Sequence, residues 1–375
     1  MPAPYMQDVF AAMRTDGRID PRVFYMDMSM PGTYWGDREL SEHETVLPGR
    51  GIEMFGGRVH WNPGVISSLR DADADIYIIS GYSSITSQIA SAWLRRLKRP
   101  WIFFGERPGI HARRAGGRFL RRAVMSVALH DAWAIAAVGE SAVRAYQMKS
   151  QASLPVYNIP YFTDLTPFQP NPSTPERETN SLRFLYCGQL IERKGVDLLV
   201  QSFCEVANRC PQVKLELVGT GPLMEPLSNS IPPHVRDRIG FHGFSPIESL
   251  PHWFSQADVF VLPSRHDGWG VVVNQALAAG LPIIATDAVG AAQDFVANRD
   301  TGTIVPAGDP QALTRAMEHF AHDPQHRRDC ANQSLKVAEE LSLARGVERW
   351  LRMFEETLDR SGVSTRTKDA KSQTN

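Results

Sequence analysis

Three short turns in the second half of the chain hold residues that suit the binding of an anion. The stretch YCGQLIERKGVDLLVQSF (residues 186–203) reads as a strand, a loop with Gly188, Gln189 and the cations Arg193 and Lys194, and then a helix. Exposed amides at a helix start, beside a lysine, make an anion site. LVGTGP (217–222) is a second strand-to-glycine turn, with Gly221 before its proline. HDGWGVVV (266–273) is a third, in which Asp267 precedes Gly268, Trp269 and Gly270. The two glycines let the backbone approach a ligand, and a helix beginning near Val271 and Val272 turns its free amides toward a phosphate. Singly, each turn has a plainer reading as a surface basic pair or a tight strand–helix connection. Their succession in one domain is what points to a phosphate-bearing ligand.

Other chemistries find less support. The four cysteines (Cys187, Cys204, Cys210, Cys330) have neither zinc spacing nor a dense disulfide pattern, which fits a reducing compartment. The histidines form no H-E-x-x-H or similar spacing, so no metal site is expected. DADAD (71–75) imitates a metal-binding Asp-x-Asp, but it precedes a strand candidate and reads as an exposed loop. No G-x-G-x-x-G opens a strand–helix unit, which disfavours a nicotinamide enzyme. No stretch of roughly 18 apolar residues and no charged leader occurs, so a cytoplasmic protein is expected, with any membrane contact peripheral.

The elements that must position these turns are short apolar runs alternating with amphipathic helical segments. Strand candidates are RVFYMD (22–27), IYIIS (76–80), WIFF (101–104) and AIAAV (134–138), then LRFLYC (182–187), KLELVG (214–219), VFVLP (259–263) and PIIAT (282–286). Glycine and proline bound them, and helix-length segments space them, as in parallel sheets with covering helices. Between the two sets, four prolines fall within residues 167–175, which reads as a linker. The organisation expected is α/β with two doubly wound Rossmann-like domains facing across a cleft. Residues 1–165 form the first domain, 166–180 the linker, 181–345 the second domain, 346–360 a terminal helix and 361–375 a disordered tail. In the terminal helix Val347, Leu351, Phe354 and Leu358 share one face. Ligands of such sheets bind at the carboxyl ends of the strands.

The second half resembles the retaining nucleotide-sugar glycosyltransferases of family four, which have the two-Rossmann-domain B-type fold. The resemblance covers about residues 182–345. It rests on Gly188, Lys194-Gly195, the turn Val218-Gly219-Thr220-Gly221-Pro222, Ala257-Asp258 leading to Pro263-Ser264, and the segments GLPIIATDAVGAAQDFV and TGTIVPAGDPQAL. Two positions depart from the family pattern. The family's diphosphate-binding arginine corresponds to Gln189, though Arg193 adjoins Lys194, and its paired glutamates correspond to Asp267 and Gln275. Both replacements keep polar capacity.

The resemblance implies Asp267 and Lys194 as the catalytic pair. It implies donor contacts from Gly188, Gln189, Arg193, Gly221, Gly268, Trp269, Gly270, Val271, Val272 and Gln275. The nucleoside-diphosphate sugar is then a substrate, with no cofactor and no metal. The first half matches less well. It starts in what reads as a loop and helix, with Pro4-Tyr5 where the family has glycines, and it has Glu106-Arg107 near a position where the family often carries a histidine. Tyr5, Glu106 and Arg107 are therefore acceptor-side candidates. The family's opening central strand is missing, so either the natural chain begins upstream of Met1 or the first domain is weak.

The implied activity is transfer of a sugar to a glycan or lipid-linked acceptor with retention at the anomeric carbon, in polysaccharide or glycolipid synthesis. A nucleotide-sugar epimerase of the same fold and a non-catalytic partner subunit stay open beside it. Residues 91–150 hold twelve Lys and Arg against three acids, so the 91–122 region is expected to meet an anionic membrane on its inner face. No nucleic-acid partner is expected.

Overall fold

Apolar runs buried on both faces form parallel strands when helices cover them. The computed structural model describes residues 1–28, 39–54, 57–82, 84–108, 129–148, 154–171 and 181–361. They fall into two compact units. Unit 1 takes the described residues of Met1–Val138, Ala142–Pro160 and Gly346–Asn375, and unit 2 those of Gly139–Ser141 and Tyr161–Arg345.

In unit 1, β1 (Val23–Tyr25) pairs in parallel with β2 (Glu44–Val46), while β3 (Arg50–Met54) and β4 (Gly57–Trp61) form an antiparallel hairpin. Strands β5 (Tyr77–Ser80), β6 (Trp101–Gly105), β7 (Ala134–Ala137) and β8 (Val156–Asn158) make a parallel sheet in that order. Its core gathers Leu94, Trp101, Phe103, Ile135 and Tyr146. The hairpin is inverted. Arg58 and His60 turn inward to Asp27 (2.9 and 3.5 Å), while Ile52 and Trp61, on the opposite face, are exposed.

The terminal helix, Leu343–Ser361, belongs to unit 1, where Trp350 packs on Phe104 with ring centroids 5.4 Å apart. Its buried stripe is Val347, Trp350, Met353 and Leu358; Leu351 and Phe354 of the expected stripe are only half-buried. The stripe turns because the bulk of Trp350 fills the space against β6. The expected linker is also revised at its start. Thr166–Phe168 is a 3-10 turn within unit 2, with Phe168 buried edge-on against Phe254 at 5.3 Å. The remainder, 172–180, lies outside the described residues, as do 109–128 of the basic region and the tail beyond 361.

Unit 2 has six strands: β9 (Leu182–Cys187), β10 (Val213–Val218), β11 (Ile239–Phe241), β12 (Val259–Leu262), β13 (Ile283–Thr286) and β14 (Gly302–Val305). They run parallel in the order β11-β10-β9-β12-β13-β14. This is the doubly wound Rossmann order, whose direction of winding reverses between the first and fourth strands. Here that point lies between β9 and β12. In unit 1 the pair β1-β2 and the row β5-β6-β7-β8 are separate sheets, and no described strand joins them.

Candidate active site

The three turns named from the sequence converge at the carboxyl ends of β9, β10 and β12. After β9 the chain runs through Gly188 and Gln189 into a 3-10 turn, Glu192–Lys194, then Gly195 and the helix Val196–Arg209. A Cβ on Gly195, where φ is +70°, would lie 2.0 Å from the Pro263 carbonyl oxygen. A Cβ on Gly219, where φ is +137°, would lie 1.9 Å from the Gly188 carbonyl oxygen. These glycines are the reason that the ends of three strands close on one spot. The amide of Leu190 donates to the Thr220 carbonyl at 2.9 Å and that of Leu223 to the Leu190 carbonyl at 3.0 Å, with Gly221 against Leu190 between them.

At the centre, Lys194 Nζ donates to Asp267 Oδ2 at 2.5 Å, with the two side chains only 16% and 10% exposed. Around this pair the two loops are clasped together. The Arg265 amide donates to the Arg193 carbonyl at 2.9 Å, and Arg193 Nη1 donates to the His266 carbonyl at 3.0 Å. Arg265 Nη1 reaches the Glu192 carbonyl at 2.6 Å, and its guanidinium forks onto both Asp197 oxygens at 2.7 and 2.6 Å. Burial raises the Asp197 carboxyl, but the hydrogen bonds and charge of Arg265, together with backbone amide donors, outweigh it and hold the group below its ordinary value. Neither Arg265 nor Asp197 stands out in the sequence. An acid in a first helical turn and an arginine after Pro-Ser are both ordinary, and 68 residues separate them.

The remaining donor-side candidates lie around the pair in different roles. Gln189 offers its backbone carbonyl to the Tyr186 hydroxyl at 2.7 Å. Gly268 and Gly270 flank Trp269, and Val271 caps the short helix Val272–Ala278 that buries Gln275 and Asn274. Trp269 is 2% exposed, and its indole packs edge-on to Tyr161 and Phe295, at 6.4 and 5.7 Å. Asn274, missed in the sequence, donates to the Tyr161 carbonyl at 2.9 Å and anchors the same helix. Desolvation pushes the Cys187 thiol, at the end of β9, up to about 12, which removes it as a thiolate nucleophile.

Tyr5, Glu106 and Arg107 belong to unit 1. Glu106 and Arg107 are exposed just past the carboxyl end of β6, with the Glu106 carbonyl accepting from the Tyr146 hydroxyl at 2.9 Å. Tyr5 stands in the first turn of the helix Pro4–Asp16 instead of in a loop, because proline at a helix start loses no bond. Asp73 of DADAD pairs with Arg99 at the end of a helix. Among the described residues, no cluster of three or more His, Cys, Asp or Glu could hold a metal ion.

A lysine is thus held against a carboxylate at the Rossmann switch point between β9 and β12. Residues 169–337 match the family model described as Glycosyl transferases group 1. The match spans just under half of the chain. The chain is 34% identical over 145 residues to the GDP-mannose-dependent alpha-(1-6)-phosphatidylinositol monomannoside mannosyltransferase of Mycolicibacterium smegmatis. That match covers 36% of this chain, and the chain spans only about 38% of the relative's length. The solved sucrose-phosphate synthase of Thermosynechococcus elongatus superposes with a TM-score of 0.72 at 20% identity, covering 95% of this chain and 93% of that one. HepE of Anabaena, solved in complex with UDP, gives 0.66 at 17% identity, covering 79% and 82%. The chain thus has the B-type glycosyltransferase fold.

Proposed function

We propose that the chain transfers a sugar from a nucleoside-diphosphate donor to a glycan or lipid-linked acceptor, with the anomeric configuration retained. The observation that carries this reading is the Lys194–Asp267 pair between β9 and β12. A lysine there suits the donor diphosphate, with exposed Arg193 as a second cation. Backbone amides around Gly270–Val272 stabilise charge developing on the departing diphosphate, and fixed dipoles of this kind are usually the largest part of such catalysis. Asp267, as a carboxylate, accepts hydrogen bonds from hydroxyls of the transferred sugar. The acceptor hydroxyl attacks the anomeric carbon on the face the diphosphate leaves, and its proton passes to a leaving-group oxygen. In this scheme the donor is consumed as a substrate.

The GDP-mannose in the mannosyltransferase's name and the UDP bound to HepE make GDP and UDP sugars the first donors to try. The protein is incubated with GDP-mannose, UDP-glucose and UDP-N-acetylglucosamine, with and without a lipid extract, and released diphosphate and the product's anomeric configuration are read. Acceptor-dependent release with retention is expected. Conversion of the donor with no acceptor would replace the proposal with an epimerase, and binding without turnover under every condition with a partner subunit.

A further inference from the structure

We propose that Asp267 makes the site select the intact sugar nucleotide over the bare nucleoside diphosphate, so that product is released readily; this rests on the donor reading above. The two members of the central pair differ in freedom. Asp267 is fixed on both sides of its backbone: its amide donates to the Ala288 carbonyl at 3.1 Å, and its carbonyl accepts from the Gly290 amide at 3.3 Å. Lys194 ends a 3-10 turn and reaches Asp267 through a flexible four-carbon stem. When a diphosphate enters, Lys194 is the partner that swings, and Asp267 stays.

Among the described residues, Lys194 is the one cation seen paired with Asp267. Arg265 is committed to Asp197 and the Glu192 carbonyl, and Arg193, the second cation for the diphosphate, donates to the His266 carbonyl and not to Asp267. A bare diphosphate therefore takes Lys194 and leaves a mostly buried carboxylate unpaired beside an anion, an arrangement proteins tolerate poorly. A sugar on the terminal phosphate changes this. Its hydroxyls donate to Asp267, so the carboxylate exchanges one partner for another. The same residue that holds the sugar then opposes the diphosphate once the sugar has gone.

The test is titration calorimetry of UDP, GDP, UDP-glucose and GDP-mannose against the wild type and Asp267→Asn, with thermal melts to establish folding. The variant is expected to bind the bare diphosphate about tenfold more tightly, since it removes an uncompensated charge, with no gain for the sugar nucleotide. Asp267→Ala removes the same charge and serves where Asp267→Asn does not fold. Unchanged or weaker diphosphate binding in a folded variant overturns the proposal, and so does equal tightening of both ligands. Absence of any nucleotide binding to the wild type and the variants would instead bring down the donor reading, and this inference with it.

Discussion

Gln275 and Gln189 occupy positions where the family pattern has a carboxylate and an arginine, so a negative and a positive charge are absent together. Both positions belong to the donor turns, and their loss in concert leaves the net charge there unchanged. Gln275 is buried in the helix Val272–Ala278. A neutral hydrogen bond contributes roughly 0.5–1.5 kcal/mol. Gln275→Leu is therefore expected to weaken donor binding about tenfold, 1.4 kcal/mol being one decade, with little change in turnover or melting temperature. Gln275→Glu alone should bring little benefit, and joined to Gln189→Arg it should gain more than the sum of the two single changes. Strict additivity in a calorimetric double-mutant cycle would refute the compensation. Asp267→Asn is expected to lower turnover strongly, and full activity of that variant would show the site to lie elsewhere.

At the scale of elements, the closure of β9 on β12 depends on Gly195. Alanine there meets a backbone oxygen at 2.0 Å in a left-handed conformation, and backbone cannot move aside as a flexible side chain would. Gly195→Ala should cost about 2–4 kcal/mol, combining strain and overpacking, and should also weaken diphosphate binding. Gly17 is the control, with φ +81° and nothing within 4 Å of its Cβ. Gly17→Ala should cost only about 1–2 kcal/mol and leave binding intact. Equal losses in thermal melts would remove the steric account.

A second element-level prediction concerns acid stability. Buried Glu44 on β2 accepts from the Tyr25 hydroxyl, from Gln7 at 3.0 Å and from the Ser41 amide at 2.9 Å. Burial alone raises its carboxyl, but these donors outweigh that and hold it below its ordinary value. Its contribution is full above the unfolded pKa near ~4.3 and is lost as pH falls through the lower folded value. Wild type should exceed Glu44→Gln by about 1–3 kcal/mol in urea at neutral pH, with the gap closing below pH ~4. A gap independent of pH would contradict this.

For the whole molecule, the question is whether the chain works on a membrane. No described helix is long and apolar enough to cross one. Part of the basic excess is spent internally, since Arg99 pairs with Asp73 and lies over the Tyr77 ring at 5.6 Å. Arg95 and Arg96 end the helix Ile85–Arg96 and remain exposed, and the hairpin of unit 1 presents Ile52 and Trp61 outward. A near-surface basic residue contributes about 1 kcal/mol on an anionic bilayer and is screened by salt. Sedimentation at low salt should show more protein on anionic than on neutral vesicles, and equal partitioning would sink peripheral binding through charge.

What the sequence determined by itself was local. Apolar runs such as LRFLYC and VFVLP name their strands because burial on both faces demands uninterrupted apolar residues. Glycines 188, 219 and 221, with Lys194 and Asp267, mark the turns, because backbone crowding and anion binding admit few residue types. Short polar strands such as β2 and the hairpin carried no such signal. Nor did the return of the terminal helix to unit 1, whose stripe is read correctly only once Trp350 is seen to pack on Phe104. Only the tertiary structure decided who pairs with whom. The strand order that sets β9 beside β12 brings Lys194 to Asp267 and Arg265 to Asp197. Tertiary packing likewise decided that the Trp269 side chain is buried. Such pairings join residues about seventy positions apart, and local propensity holds no information about contacts formed when distant strands share a sheet.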